Sequence, residues 1–86
     1  MPEVSRFLGI VITMYFADHV PPHFHAKYGS DKAEITIRDF LILKGELPSR
    51  IFGLVVEWAK DHREELMEDW DLARQQSKLK RIKPLV

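Results

Sequence analysis

The hydrophobic period of this chain changes once, at Pro48, and that change divides the fold. From there Ile51, Val55, Trp58, His62, Leu66 and Ala73 recur at three- and four-residue steps, with Phe52, Ala59 and Trp70 alongside. This is the apolar stripe of an amphipathic helix. Before Pro48 the period is two. Gly9 to Phe16 is rich in β-branched and aromatic residues, His23 to Tyr28 and Ala33 to Ile37 alternate, and Phe40 to Leu43 is a short fourth candidate strand closed by Lys44-Gly45. The order of strands followed by helix predicts an α+β fold: a small, mostly antiparallel sheet of three to five strands, with one long C-terminal helix packed on its apolar face. The length of 86 residues suits a single domain over 1–86, comprising a strand-rich half (1–47), a helix (48–76) and a basic tail (77–86).

The strand pair around Gly29 can be put in register. A four-residue turn over 29–32 sets Tyr28 opposite Ala33, Lys27 opposite Glu34, His25 opposite Thr36, Phe24 opposite Ile37 and His23 opposite Arg38. One face is then Phe24, Ala26, Tyr28, Ala33, Ile35 and Ile37. The other is His23, His25, Lys27, Glu34, Thr36 and Arg38. A slip of one residue would spoil the division. Gly9 to Phe16 has no charge and no proline to blunt an edge, so at the rim of the sheet it would invite another strand.

Charge is balanced overall but not along the chain. Residues 57–71 carry seven acidic and two basic side chains, whereas residues 74–86 carry five basic and no acidic ones. A solvated helix face followed by a solvated tail accounts for this; a basic arm for nucleic acid is the sharper reading. There is no cysteine, so neither a disulfide nor thiolate chemistry is available. No apolar run is long enough to cross a bilayer. The start lacks a basic segment followed by an apolar one, so no signal peptide is expected. A cytoplasmic protein without membrane contact is the expectation.

Three of the four histidines fall within seven residues, His19, His23 and His25, and Asp18 precedes them. His23 and His25 alternate on one strand face, about 6–7 Å apart. That spacing suits two ligands of one divalent transition metal, with Asp18 or His19 as further ligands if the Pro21-Pro22 turn folds back. The same residues can instead act without metal. Histidine moves protons near neutral pH, and Arg6 or Arg38 could neutralise a phosphorane, which makes ribonuclease chemistry the natural catalytic form. The catalytic candidates are therefore His23, His25, Asp18, His19, Arg6 and Arg38, and the metal candidates His23, His25, Asp18 and His19. No organic cofactor motif is present. Each residue also has a plain structural reading: histidine is acceptable on an exposed sheet face, Asp18 can cap a turn, and a lone arginine is usually a surface charge. His62 lies on the helical stripe between Trp58 and Leu66 and is expected to stand apart from the other three.

The run Ser5-Arg6-Phe7, then Met14 to His25 (MYFADHVPPHFH), resembles a bacterial family, the domain of unknown function 4160. The likeness continues through Tyr28-Gly29, Leu43 to Pro48, Glu57-Trp58-Ala59, His62 to Leu66 and Trp70. The family pattern includes Arg6, Asp18, His19, His23, His25 and Trp70, all present here. Its members are often encoded beside a small protein of the domain of unknown function 2442 family, in pairs proposed to be toxin–antitoxin-like. The resemblance thus implies a small cytosolic interaction module that binds a cognate small protein; the unblunted edge of Gly9 to Phe16 and the opposite charge of 57–71 and 74–86 add the expectation of a homodimer when the chain is alone. The alternative is the histidine-centred metal binder or ribonuclease.

Overall fold

A computed structural model describes residues 3–16 and 18–86. Its elements are β1 (Glu3–Phe7), β2 (Ile10–Thr13), β3 (His23–Tyr28), β4 (Asp31–Thr36), β5 (Ile42–Glu46), α1 (Ser49–Asp61) and α2 (Arg63–Arg74). The strands form one antiparallel sheet in sequence order, a simple meander. None of these helices is long and apolar enough to cross a membrane.

The expected single long helix is two helices. The chain breaks at His62, whose backbone (φ −128°, ψ 23°) leaves the helical region and whose N–H bonds to Ala59 three residues back. The reason is dimensional. A straight helix over 49–74 would be about 39 Å long, yet the longest dimension of the molecule is 33 Å. Bending at His62 brings α2 back onto the body. Glu64 and Glu65 in the first turn of α2 suit a helix N-terminus, and Lys60 suits the last turn of α1. Arg63 anchors the junction: its Nε donates to the carbonyl of Ile37, and its guanidinium lies 4.5 Å from the centre of the Phe40 ring.

The sheet differs from expectation at three places. Glu3–Phe7 is an additional strand, joined to β2 through Leu8 and Gly9, both at positive φ (51° and 81°). Gly9 to Phe16 is therefore not a rim strand, because β2 lies between β1 and β3. The fourth expected strand begins two residues later, as β5 at Ile42. The turn between β3 and β4 spans only Gly29-Ser30, with Gly29 at φ 60°, so the pairing is shifted by two residues. Phe24 faces Ile35, His25 faces Glu34, and Lys27 faces Lys32. A two-residue shift preserves the faces. Phe24, Ala26, Ala33, Ile35 and Ile37 are buried as expected; Tyr28, at the strand end, is exposed.

The core joins that face to α1 and α2. Trp58 lies 5.4 Å from Phe7 and 6.1 Å from Phe24, ring to ring. The tail is docked rather than loose. Ile82 is 3% exposed and donates its N–H to Val4 of β1, the Trp58 indole donates to the carbonyl of Lys83, and the Lys80 N–H donates to Asp69 Oδ1, all at 2.8 Å. Two tail cations are consumed within the fold, Lys80 by Glu68 and Arg81 by Glu3.

Candidate functional site

After β2 the chain leaves the sheet at Met14 and returns at His23. Pro21 and Pro22 have no amide hydrogen to offer, so their carbonyls become anchors. Pro22 accepts from the N–H of Ile37 at 3.0 Å, and Pro21 accepts from Nδ1–H of His23 at 2.8 Å. The second bond defines the tautomer of His23. Nδ1 carries the proton, and Nε2 of the neutral ring carries the lone pair.

Among the described residues that Nε2 has no hydrogen-bond partner, and it is fully buried. It lies 3.4 Å from Asp18 Oδ2 and 3.6 Å from Glu34 Oε1. His25, on the same strand face, donates from Nε2 to the same Asp18 oxygen at 3.0 Å. Its ring is 5.3 Å from that of His23 and meets Tyr15 edge-on at 4.6 Å. The ligand atoms of Asp18, His23 and His25 all lie within 4.8 Å of one another.

The burial of His23 departs from the sequence reading, which put both histidines on an open polar face. His25 is partly open, but Trp70 of α2 lies 5.3 Å from the His23 ring and closes over it. The helix break makes this contact, because it directs α2 back across the first residue of β3. Among the other candidates, the ring of His19 is 5.6 Å from that of His23, but the residue is exposed and outside the ligand cluster. Arg6 pairs with Glu3 at 2.7 Å, which holds the Glu3 carboxyl below its ordinary range and the Arg6 guanidinium above its own. Arg38 is not brought to the cluster. With the shorter turn His23 faces Thr36, and Arg38 lies exposed past the end of β4 without a hydrogen bond or ion pair among the described residues. His62 pairs with Glu65 and lies against Trp58, apart from the others as expected. Glu34 was missed by the sequence reading; a two-residue turn at Gly29-Ser30 would have put it opposite His25.

The polar face of the sheet is an open groove of about 700 Å³ that crosses all five strands. His25, Tyr15 and Glu34 line it, together with Arg6 and three lysines, Lys27, Lys32 and Lys44. His23 and Asp18 do not line it; the cluster reaches the groove through His25, which hydrogen-bonds Asp18. Lys27 and Lys32 are directly opposed on adjacent strands, and none of the three lysines forms an ion pair among the described residues. The site therefore combines a proton-handling or ion-binding cluster with a mixed surface in which cations outnumber the carboxylates that line the groove: Lys44 is opposed by Glu34 and Lys32 by Glu46 on the neighbouring strand, and Glu3 lies beside Arg6.

No curated protein and no solved structure matches this chain. A family comparison matches residues 9–71, which include Asp18, His23, His25, Lys27, Lys32, Glu34 and Trp70, to the description Domain of unknown function (DUF4160). The chain belongs to the DUF4160 family.

Proposed function

We propose that this protein binds single-stranded RNA along the open sheet face and cleaves it beside the histidine cluster, acting in the bacterial cytoplasm. The opposition of Lys27 and Lys32 carries this reading: Lys27 has Val11 on its other side and no opposed carboxylate, whereas Lys32 also faces Glu46 and Lys44, in the same groove, faces Glu34. Like charges facing each other across strands destabilise a sheet. A phosphodiester backbone between them replaces that repulsion with attraction and releases counterions. Tyr15 offers an aromatic ring to a base in the same groove.

In RNA the 2′-hydroxyl attacks the adjacent phosphorus while the bond to the 5′-oxygen breaks. One proton leaves the nucleophile and one returns to the leaving oxygen from solvent, giving a cyclic phosphate and a free 5′-hydroxyl. The His25–Asp18 pair is the proton acceptor beside the groove. The lysines face the charge that develops on phosphorus. The test is a labelled RNA oligonucleotide followed for both binding and integrity. His25→Ala should bind without cleaving, and Lys27→Glu should bind more weakly and with a shallower salt dependence. RNA that stays intact and unbound at low salt contradicts the proposal.

A second reading, docking to a cognate small protein of the domain of unknown function 2442 family in a toxin–antitoxin-like pair, is favoured by β5. Its outer edge has no neighbouring strand among the described residues, and all five of its residues are exposed. Leu41, Ile42 and Leu43 put apolar surface there. A partner strand can pair with such an edge, and a second copy can do so in the chain alone. Co-expression with the neighbour-encoded protein tests it: a complex lost on Leu43→Lys supports this docking, and two proteins that elute apart oppose it.

A further inference from the structure

We infer that Asp18, His23 and His25 form a binding site for one divalent transition-metal ion, zinc in the first instance, with its open coordination position toward the sheet groove. The inference shares its location with the proposed RNA chemistry but rests on separate observations.

The first is the orphaned nitrogen. A buried polar atom without a partner is rare and calls for an explanation. Nε2 of His23 is such an atom, and its lone pair is directed by the Nδ1–H bond to Pro21. A histidine that donates one ring N–H to a backbone carbonyl and aims the other nitrogen into a cluster has the arrangement of an oriented metal ligand. What lies in front of Nε2 is not a donor. It is two carboxylates, Asp18 at 3.4 Å and Glu34 at 3.6 Å. A lone pair facing anionic oxygens is unfavourable unless a positive charge stands between them. A proton on Nε2 would supply one, but charge-assisted N–H···O bonds close to about 2.7–2.9 Å, and these contacts are wider.

The second is the spacing. Zinc bonds of about 2.0–2.2 Å to nitrogen and oxygen put the ligand atoms of a tetrahedral site roughly 3.3–3.5 Å apart. Asp18 Oδ2 is 3.4 Å from His23 Nε2 and 3.0 Å from His25 Nε2. The two histidine nitrogens are within 4.8 Å of each other, so bringing the three donors onto one ion asks the more open His25 side chain to turn toward His23. Three protein ligands leave one position for water or substrate, the pattern of catalytic zinc sites. That position opens toward the groove, because His25 and Glu34 both line it. Glu34 is within reach as a further ligand or as acceptor for the bound water; exposed His19 is outside the set.

Binding has a defined proton balance. His25 now holds a proton on Nε2 for Asp18. Coordination requires that lone pair: a neutral ring moves its proton from Nε2 to Nδ1 with no net release, and a doubly protonated ring releases one proton to solvent. In the loaded protein His25 would be a ligand, and hydroxide, left when water at the open position gives a proton to solvent, would replace it as proton acceptor for the RNA reaction.

The experiment uses untagged full-length protein, stripped by chelation and titrated with zinc by calorimetry and with cobalt(II) by visible absorption. One ion per chain and the d–d bands of a low-coordinate nitrogen–oxygen field are expected. His25→Ala and Asp18→Asn should each weaken zinc binding at least about tenfold, whereas His62→Ala, which alters the separate His62–Glu65 pair, should bind as the parent does. His25 is partly exposed, so its replacement tests the site without the folding risk of replacing buried His23 beneath Trp70. Absence of stoichiometric zinc binding, or binding unchanged in both ligand variants, overturns the inference. RNA cleavage by the stripped protein would in that case leave the proposed function standing.

Discussion

Lys27→Glu separates the two demands that the groove places on the sheet. In the parent, Lys27 has Val11 on one side and Lys32 on the other. Glutamate turns the repelling pair into an attracting one. Cross-strand pairs contribute roughly 0.2–1 kcal/mol, with like charges acting in the opposite sense, so the variant should gain about 0.5–1 kcal/mol in urea unfolding. Binding should move the other way. If Lys27, Lys32 and Lys44 each neutralise one phosphate, the logarithmic salt slope for a single strand is about −2, an affinity loss of roughly 20-fold between 50 and 200 mM salt. With Lys27 replaced, at most two phosphates are neutralised and the slope falls to about −1.4 or less in magnitude. Fluorescence anisotropy with a labelled RNA across a salt series reads this directly. A variant that is less stable than the parent, or one that binds RNA with an unchanged slope, refutes the assignment of the groove.

Phe24→Ala, at a position with no solvent exposure beside Trp58, should cost about 3–5 kcal/mol in urea unfolding, whereas His25→Ala in metal-free protein should cost less than about 1 kcal/mol. Gly45→Ala drives a methyl into the carbonyl oxygen of Lys32 at φ +79°, and Gly29→Ala meets open space at φ +60°; thermal unfolding should find the first more damaging than the second, which costs about 1 kcal/mol. Burial pushes the Asp69 carboxyl above its ordinary value, with the Lys80 N–H pulling it back. The folded state therefore holds that proton more tightly than the unfolded chain does. The resulting stabilisation is full below 3.8, the ordinary value, and is lost as pH rises through the higher folded value. The stability of the parent relative to Asp69→Asn should accordingly fall as pH rises across that window; a difference independent of pH would contradict it.

The parts of the fold that were readable are those set by local periodicity. Alternation from His23 to Tyr28 identified the buried face of Phe24 and Ala26, and the change at Pro48 located the start of the helix. The register was not readable, because two- and four-residue turns at Gly29 leave the same residues on the same faces and differ only in partners. That ambiguity hid the Lys27–Lys32 opposition and the approach of Glu34 to the histidines. The break at His62 was hidden for another reason. The apolar stripe continues through it without proline or glycine, and the cause, a helix longer than the body it covers, is a property of the whole molecule. β1 was missed because Leu8, at φ 51°, is an unusual residue for a tight turn. Asp18, His23 and His25 were found together because proximity in sequence brought them to one strand and its preceding loop. The cover over His23 depends on Trp70, 47 positions along the chain, and nothing local announces it.

The central claim is that the polar sheet face, rather than the basic tail, receives the nucleic acid. Amide chemical shifts of isotope-labelled protein, followed during titration with a short single-stranded RNA, test it most directly. The account predicts that the largest changes fall on Tyr15, His25, Lys27, Lys32, Glu34 and Lys44, which share the groove, while residues 78–83 and the outer surfaces of α1 and α2 change little. Changes concentrated on the tail, or none on the groove at saturating RNA, would contradict it.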